Sequence, residues 1–529
     1  MTVMIKKTVV RKNRYFDSVF LMQVARRMAA APGIEDASAL LGTPANCKVL
    51  SDLGYGDRGR DKDFLDAKPN DLIIAVEGDE KAVMAVIDDP ESWLQRPASA
   101  GPPAGQEPRS IGEAAALAGA GGVAVISVPG EHAARESRAA LREGLNVFLF
   151  SSNVSAADEL SLKTEARDKG LIVMGPDCGT AFLCGAGIGF ANVIRRGPIG
   201  VVGSSGTGMQ EFTSMVHRAG SGISHAIGTG SRDLSDAIGG ISTMTAIDAL
   251  EGDPETRVIA VVSKPPGENA TARLRERLSR VAKPVVLCLI GSSDTGAESS
   301  AGGVRHASTI DAAVFLSLEA AGAASAGLRS IDREALRARA AAEVSHLLPG
   351  QRSVRGLFAG GTFCYQAQAL FRDAGLVVSS NSPLHGMREL ENAWKSSGDS
   401  LVDMGAELFV EGRPHPMIDA SMRRKRLEEE GNDPAVGLIL LDFILGAISS
   451  RDPAGDVAGT IGSIKEAARK RGGHLIVAAS VCGTNEDAQG LAAQTKELLD
   501  VGALLFASAA EAAVFSREVA LALRGKEAE

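Results

Sequence analysis

The chain has 529 residues, enough for three to four domains of ordinary size. Its formal net charge of −9 argues against a protein that reads nucleic-acid phosphates through a basic face. The apolar share is 45%, aromatics are only 4%, and that filling of Ala, Val, Leu and Ile suits layered α/β proteins with parallel sheets.

The N-terminus, MTVMIKKTVVRKNRYF, carries charges where a secretion signal needs an apolar run. Short apolar runs predict strands at 71–76 (DLIIAV), 122–128, 145–150, 171–175, 199–203, 257–263, 284–291, 355–360, 437–444 and 474–481. Helical stretches separate them, which predicts βαβ units and buried parallel sheets. The segment 96–110 (RPASAGPPAGQEPRS) reads as a flexible linker or mobile insertion. A weaker boundary near 321–330 precedes a helical stretch, 331–348, which Pro349 and Gly350 end. The expected fold class is α/β with three parallel-sheet domains: 1–195 including the insertion, 196–328, a linker helix 329–351, and 352–529.

The basic run 423–426 (RRKR) meets 428–430 (EEE) and reads as a solvated helix face. The apolar stretch 437–449 is too short to span a bilayer and holds Asp442, which must be paired or functional there. The six cysteines, Cys47, Cys178, Cys184, Cys288, Cys364 and Cys482, form no CxxC pair, and no histidine stands at zinc spacing from them. A reduced cytoplasmic protein with no metal, no membrane and no nucleic-acid partner is expected.

Two stretches share one grammar of apolar strand, glycine-hydroxyl turn and helix: 199–212 (IGVVGSSGTGMQEF) and 355–370 (RGLFAGGTFCYQAQAL). Such a corner leads into a helix N-terminus with free N–H groups and partial positive charge, a seat for phosphate or carboxylate. The candidate anion ligands are Ser204, Ser205, Gly206, Thr207, Gly208, Gly360, Gly361 and Thr362. Asp177, Cys178, Gly179 and Thr180 join them from 175–180 (GPDCGT), and Asp233 from 228–233 (GTGSRD). A further corner stands at 482–487 (CGTNED). One corner alone is weak evidence, since a tight turn with an N-cap has the same look. Cys178 serves as a nucleophile or as a small residue allowing close backbone approach; Asp233 caps its helix or positions a substrate amide. His415, in 412–419 (GRPHPMID), is a general base or a structural hydrogen-bonder in a rigid loop, and Arg413 an anion ligand.

The run 124–180 resembles the second half of the CoA-binding domain of the succinyl-CoA synthetase α subunit. The stretch from 199–211 through 228–240 resembles its phosphoryl-carrying domain, and the last third the ligase domain of the β subunit. The phrases 42–46 (GTPAN), 175–180, 204–208 (SSGTG), 225–235 (HAIGTGSRDLS), 263–266 (SKPP) and 412–419 make the whole chain similar to the FdrA family. The resemblance implies a degenerate CoA-binding Rossmann-like domain and two flavodoxin-like ligase domains, without an ATP-grasp domain. It implies that the helices opened by Ser205–Gly208 and Gly360–Thr362 flank one phosphoryl group. The synthetase carries phosphate on a histidine framed by glycines; here 302–313 (GGVRHASTIDAA) offers His306 without that frame. Its supporting glutamate would fall near 263–267 (SKPPG), which has none, and the counterpart of its CoA loop, 12–22 (KNRYFDSVFLM), has no glycine. ATP use, phosphohistidine chemistry and CoA binding therefore lack the residues the synthetase gives them. The resemblance implies an oxamate carbamoyltransferase subunit of allantoin breakdown, acting with other subunits on oxalurate and phosphate or on oxamate and carbamoyl phosphate. Arg232 or Arg413 would then pair with the oxamate carboxylate. The alternatives are an acyl-CoA synthetase needing an ATP-grasp partner, and a non-catalytic scaffold subunit.

Overall fold

The computed structural model describes residues 4–16, 18–56, 63–95, 108–118, 121–291, 303–323, 328, 330–411 and 413–528. Of the expected linker 96–110, residues 96–107 lie outside the described residues, as do 324–327 and 329 of the weaker boundary and Gly412 of the 412–419 loop. The chain forms two compact units: Met1–Ala114 with Glu407–Asp419, and Ala115–Ala406 with Ala420–Glu529.

The first unit holds three strands, β1 (Met4–Arg11), β2 (Ile34–Leu41) and β3 (Leu72–Asp79), in the order β1-β3-β2. Both pairings are antiparallel. This corrects the expectation of one parallel layer across 1–195. The physical reason lies in β3. Its Leu72, Ile74 and Val76 pack on Val24, Met28 and Val83 of the helices Ser18–Ala29 and Glu80–Asp88. Ile73 and Ala75 face the other way, onto Cys47, Leu50 and Phe64. A strand covered on both sides is apolar at every position, whether its neighbours run parallel or antiparallel.

The second unit begins with a three-stranded parallel sheet of β4 (Val123–Ile126), β5 (Asn146–Leu149) and β6 (Val173–Met174). Next come β7 (Thr180–Leu183), β8 (Ala186–Gly189), β9 (Arg196–Gly203), β10 (Ile223–Gly228), β11 (Val258–Ser263), β12 (Val285–Leu289) and β13 (Val304–Ala307). They form one sheet in the order β13-β12-β11-β9-β10-β7-β8. Its first five members are parallel, while the β7–β8 hairpin is added antiparallel to β10. After the helix Arg333–Val344 come β14 (Ser353–Phe358), β15 (Ser379–Ser380), β16 (Arg388–Glu389), β17 (Ser400–Asp403), β18 (Val436–Ile444), β19 (Ile476–Cys482) and β20 (Leu504–Phe506). Their order is β16-β15-β17-β14-β18-β19-β20, with every pairing parallel. The fold of the second unit is α/β, with two seven-stranded sheets built mainly of parallel strands.

In both seven-stranded sheets the order of strand addition reverses beside the first parallel strand, between β9 and β11 and between β14 and β18. Open α/β sheets bind ligands at such a reversal, beyond the carboxyl ends of the strands. The two glycine corners leave β9 and β14 at those points.

Candidate functional site

The first corner runs from β9 into the helix Gly206–Arg218. Ser205 caps it, its Oγ accepting the Gly208 N–H at 3.1 Å. The second runs from β14 into the helix Gly361–Arg372, whose capping residue, Gly360, has no side chain to offer. Asp442 takes over from the neighbouring β18, accepting the N–H groups of Ala359 and Gly360, both at 2.7 Å. Arg423 donates to the same carboxylate at 2.7 Å and to the Leu357 carbonyl at 2.8 Å. The polar residue inside the apolar strand is thus paired, and it fixes the corner. Arg423 and Arg426 of the basic run are buried and ion-paired, so the reading of 423–426 as a wholly solvated face is corrected.

The two helix starts meet. The hydroxyls of Ser205 and Thr362 share a hydrogen bond. A methyl added at Gly208 would stand 3.1 Å from Thr362 Cγ2, so only a glycine lets the two ends come this close without displacement. Ser204, Ser205, Gly206, Thr207, Gly208, Gly360, Gly361 and Thr362 are therefore brought into one place.

Four further groups stand around this junction. Thr180 is 5% exposed, its Oγ1 has no hydrogen-bond partner among the described residues, and a methyl at Gly206 would be 3.3 Å from it. Lys264, just past β11, is half-buried with Nζ 5.2 Å from the centre of the Tyr365 ring. Beside it Ser263 Oγ meets Ser204 Oγ at 2.6 Å. Asp403 ends β17. Its Oδ1 accepts the Gly405 N–H at 2.9 Å, and a methyl on Gly361 would stand 2.6 Å from Oδ2. Asn381 holds the Asp403 backbone through its carbonyl and its N–H, both at 2.9 Å. Burial pushes the Asp403 carboxyl up to about 6, against the opposing pull of Lys264. Lys264 and Asp403 were not singled out from sequence. The signal for Lys264 was its place in 263–266 (SKPP) at the end of a predicted strand; β17 is too short and polar to have been read as a strand.

The remaining expected site residues lie elsewhere or do other work. Arg232 is paired with Glu159 at 3.0 Å and donates to the Val154 carbonyl at 2.6 Å. Asp233 is buried and accepts from Lys163 Nζ at 2.7 Å, from Ser242 N at 3.1 Å and from Thr243 N at 2.8 Å. It caps the helix Ile241–Gly252 and neutralises a buried lysine, so of the two roles open to it the structure shows the structural one. Cys178 is buried, and burial pushes its thiol up to about 12, which leaves no thiolate for a nucleophile. Gly179 gives its carbonyl to the Phe190 N–H at 2.8 Å, and Asp177 sits exposed in a left-handed turn with φ 57°. The 175–180 backbone packs on Gly230 of the 228–233 corner, so these two corners fill each other. Thr180 is the residue of that stretch that reaches the helix junction.

His306 lies within β13, registered with Leu287, which pairs with Val261 and through it with Val202. Three strand spacings of about 4.8 Å put it roughly 14 Å from β9 and its corner. The 482–487 corner is also occupied. Asp487 accepts from Asn192 Nδ2 at 2.8 Å, Val193 N at 2.7 Å and Thr484 N at 2.8 Å. Arg413 and His415 belong to the first unit, whereas the helix junction is built within the second. Arg413 interacts there with Asp36, and the His415 Nδ1 accepts the Met417 N–H at 3.2 Å in a turn. Burial pushes His415 down to about 4, so its ring is neutral at pH 7. Of stretch 12–22, the expected counterpart of a CoA loop, residues 12–16 follow β1 and 18–22 open the helix Ser18–Ala29 of the antiparallel unit. It does not form a glycine-lined phosphate seat. Cys47, the cysteine of that unit, is buried and donates to the Phe64 carbonyl at 3.0 Å. Among the described residues no cluster of three or more His, Cys, Asp or Glu is arranged to hold a metal, and no helix is long and apolar enough to cross a membrane.

Three family models match the chain. Residues 4–109 match "AllF, heavy metal-associated domain", 196–328 match "Succinyl-CoA ligase like flavodoxin domain", and 357–519 match "CoA-ligase". The uncharacterized protein YahF of Escherichia coli (strain K12) is 39% identical over 520 residues, 97% of this chain and 98% of its own. The succinate–CoA ligase [ADP-forming] subunit alpha 2 of Archaeoglobus fulgidus is 27% identical over 166 residues, 31% of this chain and 56% of that subunit. Among solved structures, the dinucleotide forming acetyl-coenzyme A synthetase 1 of Ca. Korarchaeum cryptofilum, in complex with phosphate and ADP, aligns at 17% identity. That alignment covers 82% of this chain and 88% of the other with a TM-score of 0.31.

Proposed function

Because the chain belongs to the family of the Escherichia coli YahF protein and carries succinyl-CoA-ligase-like and CoA-ligase domains, we propose that it handles an acyl phosphate at the helix junction. The acyl phosphate we propose is carbamoyl phosphate, and the protein a cytoplasmic FdrA-type subunit of an oxamate carbamoyltransferase working with other subunits. The observation that carries this reading is the 206–218 helix start, met by the 361–372 start, beside the Thr180 hydroxyl, which has no hydrogen-bond partner among the described residues. A millimolar anion requires about 4 kcal/mol. One exposed helix end contributes about 0.3–1 kcal/mol, up to ~2 kcal/mol when partly buried. Charge-assisted hydrogen bonds contribute roughly 1.5–3 kcal/mol each. The 206–218 helix start, Thr180 and Lys264 together reach the required range.

Lys264 also speaks for a substrate phosphate over a phosphohistidine. It stands in the stretch where the synthetase resemblance expects a glutamate to steady a histidine. A lysine there would favour an anion and disfavour an imidazolium. His306, the histidine of the synthetase-like stretch, is held three strands away from β9 by the pairings of β9, β11, β12 and β13. Ordinary carbamoyl transfer needs phosphate held, the carbonyl polarised and the acceptor nitrogen oriented, which is work of position and electrostatics.

The second reading is an acyl-CoA ligase with an ATP-grasp partner, which the CoA-ligase match at 357–519 favours. Phosphorus NMR distinguishes the two. Oxamate-dependent release of phosphate from carbamoyl phosphate, by the chain with the products of adjacent genes, supports carbamoyl transfer. Turnover only with ATP, CoA and a carboxylic acid supports the ligase. Turnover of neither, with no phosphate binding, leaves a scaffold.

A further inference from the structure

We propose that Asp403 is the proton-transferring residue of the junction, giving and taking the proton at the nitrogen of an amide acceptor while phosphate sits on the first helix. The inference rests on the acyl-phosphate reading above and assigns a division of labour within it. The two helix starts are unlike. At the 206–218 start stand hydroxyls, Ser204, Ser205 and Thr180, with Lys264 nearby. At the 361–372 start stand two carboxylates, Asp442 and Asp403. An anion is favoured at the first and opposed at the second.

The two carboxylates also differ. Burial raises the Asp442 carboxyl too, but both of its oxygens are taken up by two backbone N–H groups and by Arg423, which hold it to the corner. Asp403 receives the Gly405 N–H on Oδ1, and its Oδ2 lies over the bare Cα of Gly361, on the turn where the helix opens. The groups that face it are Lys264 beyond β11, Asp442 on β18, and Cys364 on the 361–372 helix. Asn381 fixes its backbone on both sides, which holds the carboxyl in place. Its elevated pKa leaves both protonation states accessible near neutrality, as acid–base catalysis requires.

The step balances as follows. In transfer, the acceptor nitrogen attacks the carbonyl carbon of the acyl phosphate. The bond from that carbon to the bridging oxygen breaks, phosphate leaves with the electron pair, and the nitrogen's proton passes to the Asp403 carboxylate. In phosphorolysis a phosphate oxygen attacks the same carbon, the carbon–nitrogen bond breaks, and protonated Asp403 returns its proton to the leaving nitrogen.

The test uses the full chain with the products of adjacent genes, as wild type, Asp403→Asn and Gly361→Ala. Binding of inorganic phosphate and the pH profile of transfer between about pH 5 and 8 are both measured. Asp403→Asn is expected to fold, to keep phosphate affinity within about threefold, and to lower kcat by roughly 100-fold or more. It should also abolish the rise in transfer rate as pH increases through about 6. Gly361→Ala, which presses a methyl against Oδ2, should lower kcat with less effect on KM. Wild-type phosphate binding with a pH profile unchanged in Asp403→Asn overturns the assignment, as does phosphate binding without any transfer. Absence of phosphate binding in the folded wild type instead overturns the acyl-phosphate reading itself.

Discussion

Replacing Lys163 by Met tests whether Arg232 and Asp233 are structural. The Lys163 side chain is fully buried and donates to Glu159 at 2.8 Å, to Asp233 at 2.7 Å and to the Thr229 carbonyl at 2.9 Å. Met keeps the volume and removes the charge, leaving two carboxylates close together inside the protein. Breaking a buried pair from one side costs about 3–5 kcal/mol. Here Asp233 keeps the N–H groups of Ser242 and Thr243, and Glu159 keeps Arg232, so the low end, about 3 kcal/mol, applies. At about 2.1 cal/mol/K of unfolding entropy per residue, a unit of about 400 residues shifts by roughly 1 °C per kcal/mol, so the second unit should melt roughly 3–4 °C lower. Adding Asp233→Asn to Lys163→Met removes one orphaned charge and should recover part of the loss, the coupling a double-mutant cycle measures. Calorimetry on the full chain reads both variants. A Lys163→Met melt within about 1 °C of wild type would refute the argument that this network braces the 228–243 segment. Arg232→Gln should leave phosphate affinity unchanged.

Lys264→Met should weaken phosphate binding about tenfold and flatten its salt dependence, because a charge-assisted contact is lost; titration calorimetry at two salt concentrations measures it. Thr180→Val should weaken phosphate binding without lowering the melting temperature, since the hydroxyl it removes has no hydrogen-bond partner among the described residues. Iodoacetamide with mass spectrometry should label the exposed Cys184 in the native protein and spare the buried Cys178. Asp311 is pushed up to about 7 by burial and by Glu211 and Glu511, with Ser508 opposing. Its fold retains the proton more firmly than the unfolded chain does. Its contribution to stability is therefore full below the ordinary carboxylate range and is lost as pH rises through about 7. Asp311→Asn should remove that decline, so its melting temperature should exceed wild type's at pH 8 and approach it at pH 5.

The parallel sheets were legible because β11, β14, β18 and β19 are buried at every position, and such strands read as unbroken apolar runs. The same signal misled at 71–76, since β3 is also covered on both faces. Hydrophobicity records burial, not strand direction. Among site residues, the paired corners were legible because glycine beside a hydroxyl at a strand end is a local pattern. What fills a corner is not local. Asp233 reaches Lys163, seventy positions away, and Asp442 reaches Ala359, eighty-three away. Asp403 was missed because its strand is only four residues long and its importance comes from Gly361, on a different element.

The bond between Ser205 and Thr362 joins residues 157 apart in the sequence. That separation gives the site a place in time. Contacts between distant segments carry a loop-closure cost and form after local ones, and domains made on the ribosome fold in order of appearance. The β9 sheet can fold while the β14 sheet is still being synthesised, but the junction cannot exist until the second helix has emerged and docked. A fragment ending before residue 360 would lack the junction altogether. The finished junction thus reports that both halves have been made and assembled.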